Sequence, residues 1–117
     1  MPKRVLVADD DNDLCELIQM RLEDVDCEVE IVNSGLEVLN LVRQGYRPHV
    51  VVLDLMMPER SGVELLGGVK STWPGTRIII YTGYPDFVAG PLKGYVDKVL
   101  FKSANLDELI ELIKSYL

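Results

Sequence analysis

His49-Val50-Val51-Val52-Leu53-Asp54 is apolar from its second residue to its fifth and then stops on a carboxylate. A run with no polar alternation suits a central strand covered on both faces. Lys3-Arg4-Val5-Leu6-Val7-Ala8 is a second such run, and it breaks at once into Asp9, Asp10 and Asp11. Cys27-Glu28-Val29-Glu30-Ile31 instead alternates with period two, as an edge strand with one wetter face would. Arg77–Thr82 is another β-branched strand, and Asp97–Phe101 is a fifth.

Helical spacing fills the gaps between these runs. Leu14, Leu17, Ile18, Leu22 and Val25 recur every three or four residues, with Asn12 or Asp13 as cap and Glu16 completing a capping box after Asp13. Leu36, Val38, Leu39 and Val42 predict a second helix ending near Gly45. Gly62–Ser71 predicts a third, weakened by Gly67 and Gly68, each costing about 1 kcal/mol relative to alanine. Asn105 opens the last helix, with Leu106, Leu109, Ile110 and Ile113 inward and Glu108 boxing the cap. Between Tyr84 and Tyr95 the residues Pro85, Gly90, Pro91 and Gly94 break the pattern. A short helix around Asp86–Ala89, followed by an irregular connection, is the most that this stretch allows.

Strands alternating with helices imply right-handed βαβ units, hence an α/β doubly wound, mostly parallel five-stranded sheet with helices on both faces. The second strand is the most polar and belongs at an edge, while the first and third are the most apolar and belong in the centre. That favours the order 2-1-3-4-5, whose switch point lies between the first and third strands. Ligands of such sheets bind beyond the carboxyl ends of the strands at that crevice, where Asp9, Asp10 and Asp54 converge.

Composition narrows the setting. The 117 residues fit one domain, 1–117, with 48% hydrophobic and 26% charged residues, which excludes disordered and fibrous classes. Nineteen acidic against twelve basic residues leave a net charge of −7, a surface that repels nucleic-acid phosphates and anionic lipid, so direct partners of either kind are not expected. No apolar run approaches the ~20 residues of a membrane span. Asp9–Asp11 follow Lys3 and Arg4 too soon for a secretory leader. Cys15 and Cys27 stand in no C-x-x-C context and read as small buried hydrophobes, so a cytoplasmic location is expected.

Three carboxylates within a few ångströms repel one another unless one is protonated or a cation joins them. Strand-end aspartates also cap helices, which accounts for any one of the three singly but poorly for all three at one edge. A hard, oxygen-liganded site with few protein groups suits Mg²⁺, and Mn²⁺ is a substitute. Thr82 and Gly83 end the fourth strand with a hydroxyl and an unhindered N–H, and Lys102 ends the fifth with a cation. Together these make a pocket for a metal-bound tetrahedral anion, the surroundings a carboxylate needs to accept a phosphoryl group.

Val5-Leu6-Val7-Ala8-Asp9-Asp10, Asp54-Leu55-Met56-Met57-Pro58 with Ser61-Gly62, Tyr81-Thr82-Gly83 and Leu100-Phe101-Lys102, in that order at strand ends, resemble the receiver domain of two-component response regulators over essentially the whole chain. The resemblance implies a flavodoxin-like fold and a phosphorylation-driven switch. Asp54 would take a phosphoryl group from a histidine kinase or phosphotransfer protein. Asp9 and Asp10 would form the Mg²⁺ pair, Asp10 the more direct ligand, with Asp54 and the Met56 carbonyl completing the set. Thr82 and Gly83 would bond phosphoryl oxygens, Lys102 would pair with the phosphoryl charge, and Met56 and Tyr84 would flank the path of an attacking water. A domain of this kind accepts and slowly hydrolyses its own aspartyl phosphate and is not a turnover enzyme. With no DNA-binding module after the final helix, output is expected to pass through a downstream protein partner or an effector domain absent from this chain.

Three positions depart from the family pattern. Ser103 stands where a proline joined by a cis peptide is usual; a cis non-proline bond costs about 3 kcal/mol, so a trans Lys102–Ser103 bond is expected. Val99 stands where an aromatic usually changes rotamer, with Phe101 on the same strand face as a partial stand-in. The stretch between Thr82 and Lys102 is short and broken. Val99 and Ser103 favour an alternative, a degenerate scaffold that binds partners without phosphorylation, which the complete acid–Thr–Lys set opposes. A phosphohydrolase with Asp54 as nucleophile would want an aspartate where Met56 stands, and no glycine-rich nucleotide loop occurs. His49 reads as structural, and Trp73 beside Pro74 reads as a loop anchor.

Overall fold

The computed structural model describes residues 2–57, 62–83, 94–102 and 105–117, with backbone alone at 62–64. Five strands, β1 (Lys3–Ala8), β2 (Cys27–Val32), β3 (Val50–Leu53), β4 (Arg77–Thr82) and β5 (Lys98–Phe101), form one parallel sheet in the order β2-β1-β3-β4-β5. Four helices accompany them among the described residues: α1 (Asn12–Arg21), α2 (Gly35–Arg43), α3 (Gly62–Thr72) and α4 (Leu106–Tyr116). The expected order and edge placement both hold. β2 alternates between half-buried and exposed positions, whereas every residue of β3 is buried.

Strand alternation sorts the core into two layers. Leu6, Ala8, Val51, Leu53, Ile78 and Ile80 point to one face and meet Val38 of α2, Leu65, Leu66 and Val69 of α3, and Trp73. Val5, Val7, Val50, Val52, Ile79, Tyr81 and Leu100 point to the other and meet Cys15 and Ile18 from α1, Leu22 just after it, and Leu109, Ile110 and Ile113 from α4. Both faces are therefore covered, which is why the central strands carry no polar alternation.

Three local expectations are corrected. Asp11, not Asn12 or Asp13, caps α1: its extended backbone aims the side chain at the Leu14 N–H, 3.1 Å away. The buried stripe of α1 runs through Cys15 and Ile18 and on to Leu22 at its C-cap, so Leu17 is exposed, and the helix stops at Arg21 before reaching Val25. β5 starts one residue late because Asp97 is occupied elsewhere. Its Oδ2 accepts from the Ile78 N–H at 2.8 Å and its Oδ1 pairs with Arg77 at 3.2 Å. The last helix starts as expected, with the Asn105 side chain accepting from the Asp107 N–H. Gly45 closes α2 at a φ of 81°, a left-handed conformation that glycine adopts freely.

The short helix expected around Asp86–Ala89 lies outside the described residues, as do Pro58, Tyr84 and the Ser103 end of the Lys102–Ser103 bond. Among the described residues no helix is long and apolar enough to cross a membrane.

Candidate functional site

The sheet's hydrogen-bond ladder continues one residue past β1, β3 and β5, and this places the site. The Asp9 N–H donates to the Val32 carbonyl at 3.0 Å, the Asp54 N–H to the Ala8 carbonyl at 2.9 Å, and the Lys102 N–H to the Thr82 carbonyl at 2.8 Å. Asp9, Asp54 and Lys102 thus begin where three apolar strands end, at one edge of the sheet. Asp9 and Asp54 are buried, at 3% and 5% exposure, whereas Asp10 faces solvent. One carboxylate oxygen from each of Asp9, Asp10 and Asp54 lies within 4.8 Å of the others.

Lys102 holds the two buried carboxylates together. Its Nζ stands 2.8 Å from Asp9 Oδ2 and 3.0 Å from Asp54 Oδ2. The remaining oxygens are held by backbone: the Asp11 N–H donates to Asp9 Oδ1 at 2.9 Å, and the Met56 N–H donates to Asp54 Oδ1 at 3.1 Å. Burial nonetheless raises the Asp9 carboxyl above the ordinary carboxylate range, against the opposing pull of Lys102 and the Asp11 N–H. For Lys102 burial works downward, but the hydrogen bonds to Asp9 and Asp54 outweigh it and raise the ammonium above its usual range. One cation between two buried anions, with a third anion beside them, leaves net negative charge at this edge, which an additional cation would relieve.

Thr82 is fully buried at the end of β4, and the space beside the Gly83 Cα is open. The Met56 side chain is half exposed next to Asp54. Val99 packs against the α2–α3 layer, while Phe101 is 44% exposed and contributes little to that layer. The backbone between Asp9 and α1 has two further tethers that sequence reasoning did not single out. Asn33 Nδ2 donates to the Asp9 carbonyl at 2.9 Å, and the Cys15 thiol, pushed up to about 11 by burial and the charges of Asp9 and Asp11, donates to the same oxygen at 3.5 Å. A polar residue directly after β2, at the same sheet edge, was the available signal for Asn33. Away from this edge, His49 Nδ1 accepts from the Arg4 N–H at 3.0 Å and Trp73 is buried edge-on to Tyr46, both structural roles as expected.

Residues 5–114 match the family profile described as the response regulator receiver domain. The chain belongs to the response regulator receiver domain family. Among relatives of this receiver domain, response regulator MprA of Mycobacterium sp. (strain KMS) is 35% identical over all of this chain, which spans 51% of that protein. The chain thus covers about half the length of the curated relatives it matches first. Among solved structures, the response regulator TrrA of Thermotoga maritima in complex with Mg²⁺-BeF superposes at a TM-score of 0.85 with 32% identity, over 98% of this chain and 99% of that one. The BeF3-activated DrrB receiver domain superposes at 0.86 with 28% identity, over 99% and 97% of the two chains. Response regulators are signalling proteins rather than enzymes that turn over an external substrate, and the acidic edge of this receiver domain matches a phosphoacceptor site in its chemistry.

Proposed function

We propose that Asp54 is the phosphoacceptor of this receiver domain and that its modification is the switching event. The observation that carries the reading is the Lys102 bridge between Asp9 and Asp54, with Asp10 beside them, because it gathers in one place every charge that phosphoryl transfer to a carboxylate must balance. A carboxylate oxygen of Asp54 attacks phosphorus. The P–N bond to a donor imidazole breaks, its electron pair leaves with the nitrogen, which takes up a proton, and an acyl phosphate remains. Lys102 then exchanges carboxylate charge for phosphoryl charge, while Thr82 and the Gly83 N–H serve the phosphoryl oxygens.

The donor set fits a divalent cation: two buried carboxylates and one exposed carboxylate are hard oxygen ligands, to which the Met56 carbonyl would add a fourth. Mg²⁺ bound by Asp9, Asp10, Asp54 and that carbonyl would supply charge neutralisation on phosphoryl oxygens. The bound ion in the TrrA structure supports Mg²⁺ as the choice for this chain. Asp10 is exposed, so Asp10→Ala should leave the metal-free melting temperature nearly unchanged while weakening Mg²⁺ about ten- to a hundredfold in calorimetric titration. An unchanged Mg²⁺ affinity would remove Asp10 from the ligand set.

Partners follow from the same reading: a histidine kinase or phosphotransfer protein as donor, and a downstream protein or effector domain as recipient. Met56, half exposed two residues after the acceptor, is the side chain that would flank the path of an attacking water. Met56→Asn should shorten the acyl-phosphate lifetime about tenfold, a barrier change near ~1.4 kcal/mol, read as decay of the phosphorylated mass with time. An unaltered decay would show that Met56 does not gate water. The proposal as a whole is tested by incubating the chain with acetyl phosphate, with and without Mg²⁺, and weighing it intact. One phosphoryl group, gained only with Mg²⁺, is the expected result. No gain despite measurable Mg²⁺ binding would favour the non-phosphorylated scaffold.

A further inference from the structure

At the opposite edge of the sheet, where the strands begin, a recess of roughly 370 Å³ is lined by Arg4, Arg47, His49, Trp73, Arg77 and Tyr116 together with Pro48 and the 74–76 turn. Three of the chain's six arginines meet there, and no carboxylate among the described residues lines it, on a protein whose net charge is −7. Basic residues do complement the carboxyl ends of helices, and Arg21, Arg43, Lys70 and Lys114, each in a last turn, do so here. Arg4 and Arg77 lie on strands and Arg47 on a loop beyond α2, so helix complementation does not explain them.

Their donors are partly committed and partly open. Arg4 Nε donates to the Arg47 carbonyl at 2.7 Å, which leaves its two terminal nitrogens without a partner among the described residues. Arg47 has no side-chain partner among those residues. Arg77 is shared between Asp97 and the Tyr116 ring, 5.2 Å from its centroid. His49 accepts at Nδ1 from the Arg4 N–H, so the neutral ring carries its hydrogen on Nε2 and is one more donor on this wall. Two guanidinium forks and an imidazole N–H, set against the walls formed by Trp73 and Tyr116, match an anion with several oxygens better than a single-point acceptor.

We propose that this recess is a second ligand site that takes a small phosphate-bearing anion, separate from the acidic edge. The two sites lie at opposite ends of the same strand. His49 precedes β3 and Asp54 follows it, about 16 Å apart along the extended backbone. The acidic edge repels free phosphate when no metal is present, so the two sites can be told apart in one sample.

The test is a titration of the isotopically labelled chain with inorganic phosphate at constant pH and ionic strength, without Mg²⁺, followed by amide chemical shifts. Saturable shifts are expected at Arg47, His49, Thr76 and Arg77, with Asp9, Asp54 and Gly83 unmoved. Arg47→Glu, at an exposed loop position, should weaken the apparent affinity at least tenfold while the rest of the spectrum stays in place. Shifts that never saturate, shifts that saturate equally in Arg47→Glu, or acetate matching phosphate at equal concentration would each overturn the proposal.

Discussion

Asp54→Ala protein is expected to gain no phosphoryl group under conditions in which the native chain gains one. The expectation is a complete loss rather than a slowing, because no other carboxylate combines the same three properties. Asp54 directly follows the middle strand of the sheet, is buried at its carboxyl edge, and has one oxygen fixed by the Met56 N–H and the other by Lys102. Asp9 shares the Lys102 contact, but it follows β1 rather than the middle strand, and its other oxygen is held by the Asp11 N–H. The substitution also leaves the pair of Lys102 with Asp9 intact, so the fold should persist and the loss can be read as chemistry. Intact mass after incubation with Mg²⁺ and acetyl phosphate, with a thermal melt as control, checks both halves. A persistent adduct on the folded variant would move the acceptor elsewhere.

Lys102→Met should destabilise the metal-free chain by about 2 kcal/mol, roughly 8 °C in melting temperature for a domain of this size. Removing one partner of a fully buried ion pair costs more, but the Lys102 side chain keeps 27% of its surface exposed, and solvent screening reduces the penalty. What remains is a pair of buried carboxylates with no cation between them. Mg²⁺ should therefore recover most of the lost stability in the variant and add less to the native chain, which already has its ammonium. The pH dependence has a fixed sign. Lys102 titrates above its ordinary value of 10.5, so its contribution is fully present below that pH and is lost as pH rises through the raised value. Native and variant melting temperatures should accordingly converge in strong alkali. Equal melting temperatures near neutrality without Mg²⁺ would show that the bridge contributes nothing to the fold.

Much of this arrangement is legible in the amino-acid sequence. The unbroken apolar runs of β1, β3 and β4 could only be covered strands, and a parallel doubly wound sheet brings their carboxyl ends to one edge, which marks Asp9, Asp54 and Thr82. The cap of α1 was not legible. Asp11, Asn12 and Asp13 are all competent caps, and the choice falls to Asp11 because its N–H is already drawn to Asp9 Oδ1. Leu17 misled for a related reason: it fits the helical period, but the packed stripe centres on Cys15, Ile18 and Leu22, a rotation set by the sheet rather than by the helix. That Lys102 would hold both carboxylates depends on the register of β4 with β5, which pattern alone does not specify. The basic recess was invisible for the same reason, since Arg4, Arg47 and Arg77 are brought together only by the strand order.

The most direct measurement of the central claim is to locate the phosphoryl group by chemistry. Borohydride reduces an acyl phosphate to an alcohol and leaves an unmodified carboxylate untouched, so peptide mapping of the reduced chain reads the acceptor's position. Reduction confined to position 54, in a modified chain whose adduct survives acid and is lost in base, is the result predicted here. Reduction at Asp9 or Asp10, or an adduct that is acid-labile and maps to His49, would contradict it.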